Sequence, residues 1–349
     1  MLRTTRRKTL GMLRDIGVFR LCSDSDWRRS RLSILCYHGV AISDEHEWNP
    51  SLYVSVETFE QRLALLKAAR YNVLPLAEAI TRLYNNTLPD RSVCITFDDG
   101  MHDFGVRAAP LLERYGFPAT VYLTTYYCQF NRPIFDLALA YIMWKRRHDT
   151  LYAQPLTGED RAWNLAVDAE KAEAYWGLID HTKLHHFTAV DRDALAMCVA
   201  GQLGVDYGEL LATRRLHLLN PTEVATLSAK GFDFQLHTHR HRTPIDRDLF
   251  HRELRDNARC IREYTGKSPT HFCYPSGIHR PEFHDWLRSE RVESATVCEL
   301  GVATSRAHPL QLPRLMDSTR FSALEFEGWL TGVSSMLPRR RQPPPRTSA

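Results

Sequence analysis

Two adjacent carboxylates close the run Arg91-Ser92-Val93-Cys94-Ile95-Thr96-Phe97-Asp98-Asp99-Gly100. A carboxylate at a strand end can take a proton or hold a cation, and a neighbouring pair can divide those tasks. In two-residue alternation Val93, Ile95 and Phe97 share one face and Cys94, Thr96 and Asp98 the other. The bulky face suits a helix layer and the small polar face suits the inside of a barrel. Asp99 would point away from Asp98 in a continuing strand, but Gly100 permits a turn that swings it over the same mouth. The same pair also suits a helix cap at a strand-to-helix turn, and this stretch alone leaves both readings open.

A second run, Gly231-Phe232-Asp233-Phe234-Gln235-Leu236-His237, repeats the pattern and continues as Thr238-His239-Arg240-His241. His237 has the parity of Asp98, and His241 follows four residues later, a spacing that brings two imidazoles together across one turn. Two histidines and a carboxylate form a three-ligand set for a catalytic Zn²⁺ with an open position. A solvated His/Arg cluster is the competing reading of the bare spacing.

Thr96-Phe97-Asp98-Asp99-Gly100 and His237-Thr238-His239-Arg240-His241 resemble the first two motifs of the polysaccharide deacetylases, the NodB-homology fold of carbohydrate esterase family four. Phe272-Cys273-Tyr274-Pro275-Ser276-Gly277 resembles that family's third motif, and Cys36-Tyr37-His38-Gly39-Val40 is similar to the opening strand of its exopolysaccharide deacetylase branch. The resemblance covers roughly residues 31–320 with the motifs in the family's order. It implies removal of N- or O-acetyl groups from an acetylated carbohydrate, with a divalent metal, Zn²⁺ by preference, held by Asp99, His237 and His241. It further implies Asp98 as general base, the backbone N–H of Ser276 as an oxyanion donor, and Tyr274 and Pro275 as a wall of the site. Three departures limit the transfer. Cys273 stands where many members have an arginine that orients the base, so Arg314 is the candidate replacement. The late leucine-x-histidine motif that supplies the general acid is missing, which leaves His308 or a proton returned by Asp98. The tryptophan-bearing fourth motif is not recognisable.

The elements that must position these groups alternate. Strand signals at 33–38, 73–74, 93–98 and 119–123 are separated by helical stripes such as Phe59, Leu63 and Leu66, and Ala79, Ile80 and Leu83. This predicts parallel pairing and an α/β barrel, with chemistry at the carboxyl ends of the strands. The resemblance makes it the distorted (β/α)7 barrel of the NodB type with a helical insertion. That insertion, about residues 128–218, is far longer than a crossover helix and should cap the mouth. Its His181, His185 and His186 lack a matching carboxylate strand. Past the histidine motif a helix over 248–264 ends at Gly266, followed by a helix around 281–291, strands at 295–297 and 312–315, and a last helix over 322–336.

A chain of 349 residues with 44% hydrophobic content can bury a full core. Its net charge of +4 is modest and its cations concentrate at the two ends, so no basic face for nucleic acid is expected. Eight cysteines without a CxxC pair read as reduced thiols, and no run is long and apolar enough for a spanning helix or signal peptide, so a cytoplasmic location is expected. Residues 1–30 form a basic amphipathic segment, with Arg3, Arg6, Arg7, Lys8 and Arg14 among Leu10, Leu13, Ile16 and Phe19. It suits peripheral contact with an anionic membrane through residues 1–20, a helix packed on the barrel, or a transit peptide. The barrel is expected over residues 31–336, and the Pro-rich basic tail, 337–349, should be disordered. Three other functions compete: a metal-dependent amidase or deformylase on a small amide or nucleotide-linked sugar, an inactive carbohydrate-binding member, and an amidohydrolase using His237 and His239.

Overall fold

The structure, a computed structural model, describes residues 2–337. The chain divides into two compact units, Met1–Cys128 with Pro221–Ala349, and Gln129–Asn220. The predicted tail from residue 338 onward lies outside the described residues.

In the first unit, helices α1 (Leu2–Asp15) and α2 (Val18–Ser23) precede strand β1 (Arg31–Tyr37). Helices α3 (Val56–Ala68) and α4 (Leu76–Tyr84) lead to β2 (Ser92–Phe97), and α5 (Ala109–Tyr115) leads to β3 (Thr120–Leu123). Ser55 caps α3 by accepting the Thr58 N–H, which fixes where that helix starts.

The second unit holds α6 (Phe135–Lys145), α7 (Asp168–Leu184) and α8 (Ala189–Gln202) around its own buried Leu139, Ile142, Leu178, Leu195 and Val199. Helical periodicity foresees these three helices. It does not foresee the antiparallel pair Thr150–Tyr152 with Ala162–Asn164, whose three-residue strands are too short to show alternation.

The chain returns to the first unit through α9 (Pro221–Ala229), then β4 (Asp233–Leu236), α10 (Arg247–Thr265), β5 (His271–Cys273), α11 (Glu282–Ser289), β6 (Ser294–Leu300), β7 (Leu312–Met316) and α12 (Ala323–Leu330). Gly266 ends α10 in the left-handed conformation at φ 71°, as its position predicts. The last predicted helix is in fact two, broken at Gly332 with φ 86°.

β1 pairs with both β2 and β7, and the order β1-β7-β6-β5-β4-β3-β2 closes on itself. The barrel therefore has seven strands, all parallel. Alternation sorts the faces as expected. Phe97 turns outward onto Tyr37, Phe59 and Phe104 at ring distances of 5.4, 5.7 and 4.9 Å. Ile34, Cys94, Tyr122, Cys273 and Leu312 share one buried cluster. The eight cysteines are all free, five of them buried, although Cys198 is exposed.

Because the second unit carries its own apolar core, replacing residues 130–219 by a short Gly/Ser bridge should leave a soluble barrel that unfolds cooperatively in a circular-dichroism melt. An insoluble product would show that the barrel needs the insertion to fold.

Candidate active site

Asp98 follows the last residue of β2, and its backbone N–H bonds to Tyr37 O at 2.9 Å, which locks the ends of β2 and β1 together. Asp98 is 2% exposed and Arg314, on β7, is 0% exposed. Arg314 Nη1 and Nη2 donate to the two Asp98 oxygens at 2.7 Å each, a bidentate fork. The guanidinium is held in turn: Nε donates to Val297 O at 3.3 Å, and Nη2 lies 3.1 Å from Cys273 Sγ. Val297 falls where the β6–β7 register shifts between Thr296 and Leu300, so an irregularity in the ladder frees a carbonyl for Arg314. Burial works to raise the Asp98 pKa, and Arg314 more than reverses it by charge and hydrogen bonding, so the carboxyl is held well below its usual range. The Cys36 and Cys273 sulfurs each lie 3.6 Å from Asp98 Oδ2, and burial keeps both as protonated thiols.

Asp99 reverses the chain. It adopts φ 67° and Gly100 φ 80°, so the turn is made by both residues and not by the glycine alone. At φ 80° Gly100 adopts a conformation that strains a side chain-bearing residue, and a Cβ there would also have to displace Leu123 Cδ1, 2.3 Å away. The turn places Asp99 Oδ1 3.2 Å from His237 Nε2 and 3.2 Å from His241 Nε2. His241 sits at φ 56° after Thr238 at φ 61°, so the two histidines converge through a left-handed loop and not a helical turn.

Several buried groups hold these ligand candidates in place. Asn257 of α10 accepts the His237 N–H at 2.9 Å and donates to Leu123 O and Thr125 Oγ1. Thr124 N–H donates to Asp99 O at 3.1 Å. Glu253 accepts from the Arg240 backbone at 2.7 Å and from its guanidinium at 3.1 Å. His239 turns away, its Nδ1 2.8 Å from Thr125 Oγ1.

The donor set fits a divalent cation. His237 Nδ1 lies 2.8 Å from Cys273 O, a pure acceptor, so Nδ1 carries a proton and Nε2 is the nitrogen turned to Asp99. Asp99 Oδ1 is buried and makes no well-aligned hydrogen bond, although both imidazoles stand at ion-pair distance from it. The ligand atoms of Asp99, His237 and His241 all lie within 4.8 Å of one another. A buried carboxylate oxygen facing the Nε2 atoms of two imidazoles without a well-aligned hydrogen bond to either is the arrangement a cation completes.

Three of the sequence candidates need comment. Ser276 stands exposed at the mouth at φ 55°, and the turn's own bonds, Gly277 to Tyr274 and Ile278 to Pro275, do not use its N–H. Pro275 beside it is buried. Tyr274 is not a wall of the site: its ring faces the helix layer against Phe272 and Phe283, with the hydroxyl donating to Leu310 O at 3.1 Å. Cys273 takes the inward parity, so its neighbour must point outward. His308 is also misplaced by the sequence reading. Its ring stacks on His284 at 4.3 Å and accepts from Arg288, and it precedes β7, so it belongs to the amino end of a strand whose carboxyl end forms the mouth.

The imidazole that does reach Asp98 is His38, which sequence reasoning left without a role. Its Nε2 lies 3.8 Å from Asp98 Oδ2, with the side chain 21% exposed. The signal was present: His38 shares the inward parity of Ile34 and Cys36 and directly follows β1, which pairs Tyr37 with Phe97.

A parallel barrel with two carboxylates, paired imidazoles and a buried arginine at its carboxyl end is a hydrolase scaffold. The chain belongs to the polysaccharide deacetylase family, whose profile matches residues 85–143 and 159–293. Among curated proteins it is 34% identical over 95 residues to YxkH of Bacillus subtilis, a polysaccharide deacetylase-class protein, and the match spans 27% of this chain and 32% of that relative's length. The fold is similar to Streptococcus pyogenes deacetylase PplD solved in complex with acetate, at a TM-score of 0.57 and 19% identity, covering 86% of this chain and 98% of that one. It is also similar to IcaB from Ammonifex degensii, at a TM-score of 0.52 and 16% identity over 86% and 97% of the two chains.

Asp99→Ala, His237→Ala and His241→Ala should each lose bound metal by elemental analysis after zinc loading and desalting, whereas His239→Ala keeps it. Asn257→Ala should weaken metal binding by about 10- to 100-fold, as expected for loss of a group that orients a ligand. Metal loss at His239 as severe as at His237 would contradict the ligand assignment.

Proposed function

We propose that the protein is a metal-dependent deacetylase that hydrolyses N-acetyl groups on a carbohydrate. The observation that carries this reading is the convergence of the buried Asp99 Oδ1 and the Nε2 atoms of His237 and His241, next to a carboxylate that Arg314 keeps ionised. Family membership supports the acetylated carbohydrate as substrate, and the similar S. pyogenes deacetylase was solved with acetate, the product such a reaction releases.

Asp99, His237 and His241 would hold the ion. When bound there, a divalent ion such as Zn²⁺ lowers the pKa of water from 15.7 to about 7 and polarises a carbonyl oxygen. Asp98 accepts the proton of the attacking water. Its depressed pKa guarantees the ionised form but makes it a weak base, so the nucleophile must be acidified for the transfer to proceed. The Ser276 N–H donates to the oxygen that becomes negative as the carbonyl carbon turns tetrahedral. Expulsion of an amine needs a proton on nitrogen. His38 faces Asp98 from the exposed side of the site and is the residue placed to deliver it. This replaces His308 in that role.

Acetate release from a panel of N-acetyl and O-acetyl sugars, with and without added zinc, tests the function; turnover of none of them by zinc-loaded protein would refute it. Asp98→Asn should lower turnover by about 10²- to 10⁴-fold while metal content stays near wild type. Loss of metal together with activity would mean that Asp98 and Asp99 have been assigned the wrong way round. His38→Gln should impair an N-acetyl sugar by about a hundredfold or more but spare p-nitrophenyl acetate, whose leaving group departs without protonation. Equal losses on both substrates would assign the proton donor to Asp98 itself.

A further inference from the structure

We infer that the outward face of α1 and α2 docks the protein onto an anionic phospholipid surface. α1 carries two apolar stripes, and the fold uses only one. Leu10 is buried with Phe19 and Val333, and Leu13 and Leu324 pack around them. The cations beside that stripe are also committed to the fold. Arg7 pairs with Glu325 at 2.9 Å, Arg14 pairs with Glu327 at 3.0 Å, and the Arg6 guanidinium lies 5.6 Å from the Trp329 ring centre.

The opposite stripe has no such use. Lys8 and Met12, at four-residue spacing, stack along one side of α1, and Ile16, whose N–H bonds to Met12 O at 3.1 Å just past the helix end, continues the line. Gly17, at φ 83°, then turns the chain into α2, which adds Arg20 and Leu21. Met12, Ile16 and Leu21 are 59%, 64% and 72% exposed. Lys8 and Arg20 are exposed and form no ion pair among the described residues; the exposed acids closest to them in the chain are Asp15 and Asp24, and Asp24, already paired with Arg91, feels the charge of Arg20. Three large apolar side chains are thus left mostly in water. Flanked by the exposed Lys8 and Arg20, they match the chemistry of an interface with negative head groups over an acyl boundary. No helix among the described residues is long and apolar enough to cross a membrane, so contact through this face would be peripheral.

The test is co-sedimentation of the full chain with phosphatidylcholine vesicles and with vesicles containing about a third phosphatidylglycerol. The protein should sediment with the anionic vesicles only, and less so at high salt. Lys8→Gln with Arg20→Gln should lower partitioning by about 30-fold, the equivalent of about 1 kcal/mol for each cation near an anionic surface. Met12→Ser, Ile16→Ser and Leu21→Ser combined should abolish sedimentation while leaving acetate release in solution at the wild-type rate. A wild-type protein that stays in the supernatant, or a triple variant that sediments like wild type, overturns the inference. So would self-association that the triple variant loses in the absence of vesicle binding, since that would assign the face to a second copy of the chain.

Discussion

A carboxylate taken almost completely out of water stays ionised only if fixed donors replace its hydration. Burial alone would neutralise Asp98; the Arg314 fork reverses that with two 2.7 Å bonds and a full positive charge. The pair also holds strands together, because β2 and β7 are not neighbours and meet through β1 and across the barrel interior. Removing one partner of such a pair costs about 3–5 kcal/mol, since the other charge is left buried and uncompensated. The ionised state of Asp98 and this link across the barrel interior therefore depend on one ion pair.

A different constraint governs the ligand side. Asp99, Thr238, His241 and Ser276 all hold positive φ, which costs side-chain-bearing residues energy and persists only when neighbours fix it. The fixing is visible. Asn257 ties His237 to the end of β3, Thr124 holds the Asp99 carbonyl, and Glu253 grips the Arg240 backbone. Helix α10 supplies two of these three clamps, so its packing acts directly on the geometry of the histidine loop.

Much of this was legible in the residue pattern. Alternation alone separated Asp98 from Phe97 and gave His237 the inward face, and the family motifs supplied the ligand candidates. Two side chains lie away from their expected positions, and strand geometry explains both. Tyr274 had to face outward once Cys273 faced inward, and His308 had to lie at the amino end because it precedes β7 instead of following it. The inward parity of His38 was legible, but its partner was not. Its nearness to Asp98 arises from the pairing of β1 with β2, a contact between residues about sixty apart that no local pattern encodes. The clamps by Asn257 and Glu253 were invisible for the same reason, since polar residues inside an amphipathic helix look like ordinary surface until the partner strand is known.

The most direct measurement is the pH dependence of acetate release by metal-loaded Arg314→Lys beside that of wild type. A lysine keeps the charge but not the planar fork, so the upward pull of burial on Asp98 is less compensated and its pKa rises. The sign follows: a base that protonates at higher pH loses activity sooner on acidification, so the acidic limb should move upward. Turnover should fall on the order of a hundredfold with metal content unchanged. A lysine variant with wild-type turnover and an unmoved acidic limb would contradict the account and remove Arg314 from the chemistry of the site.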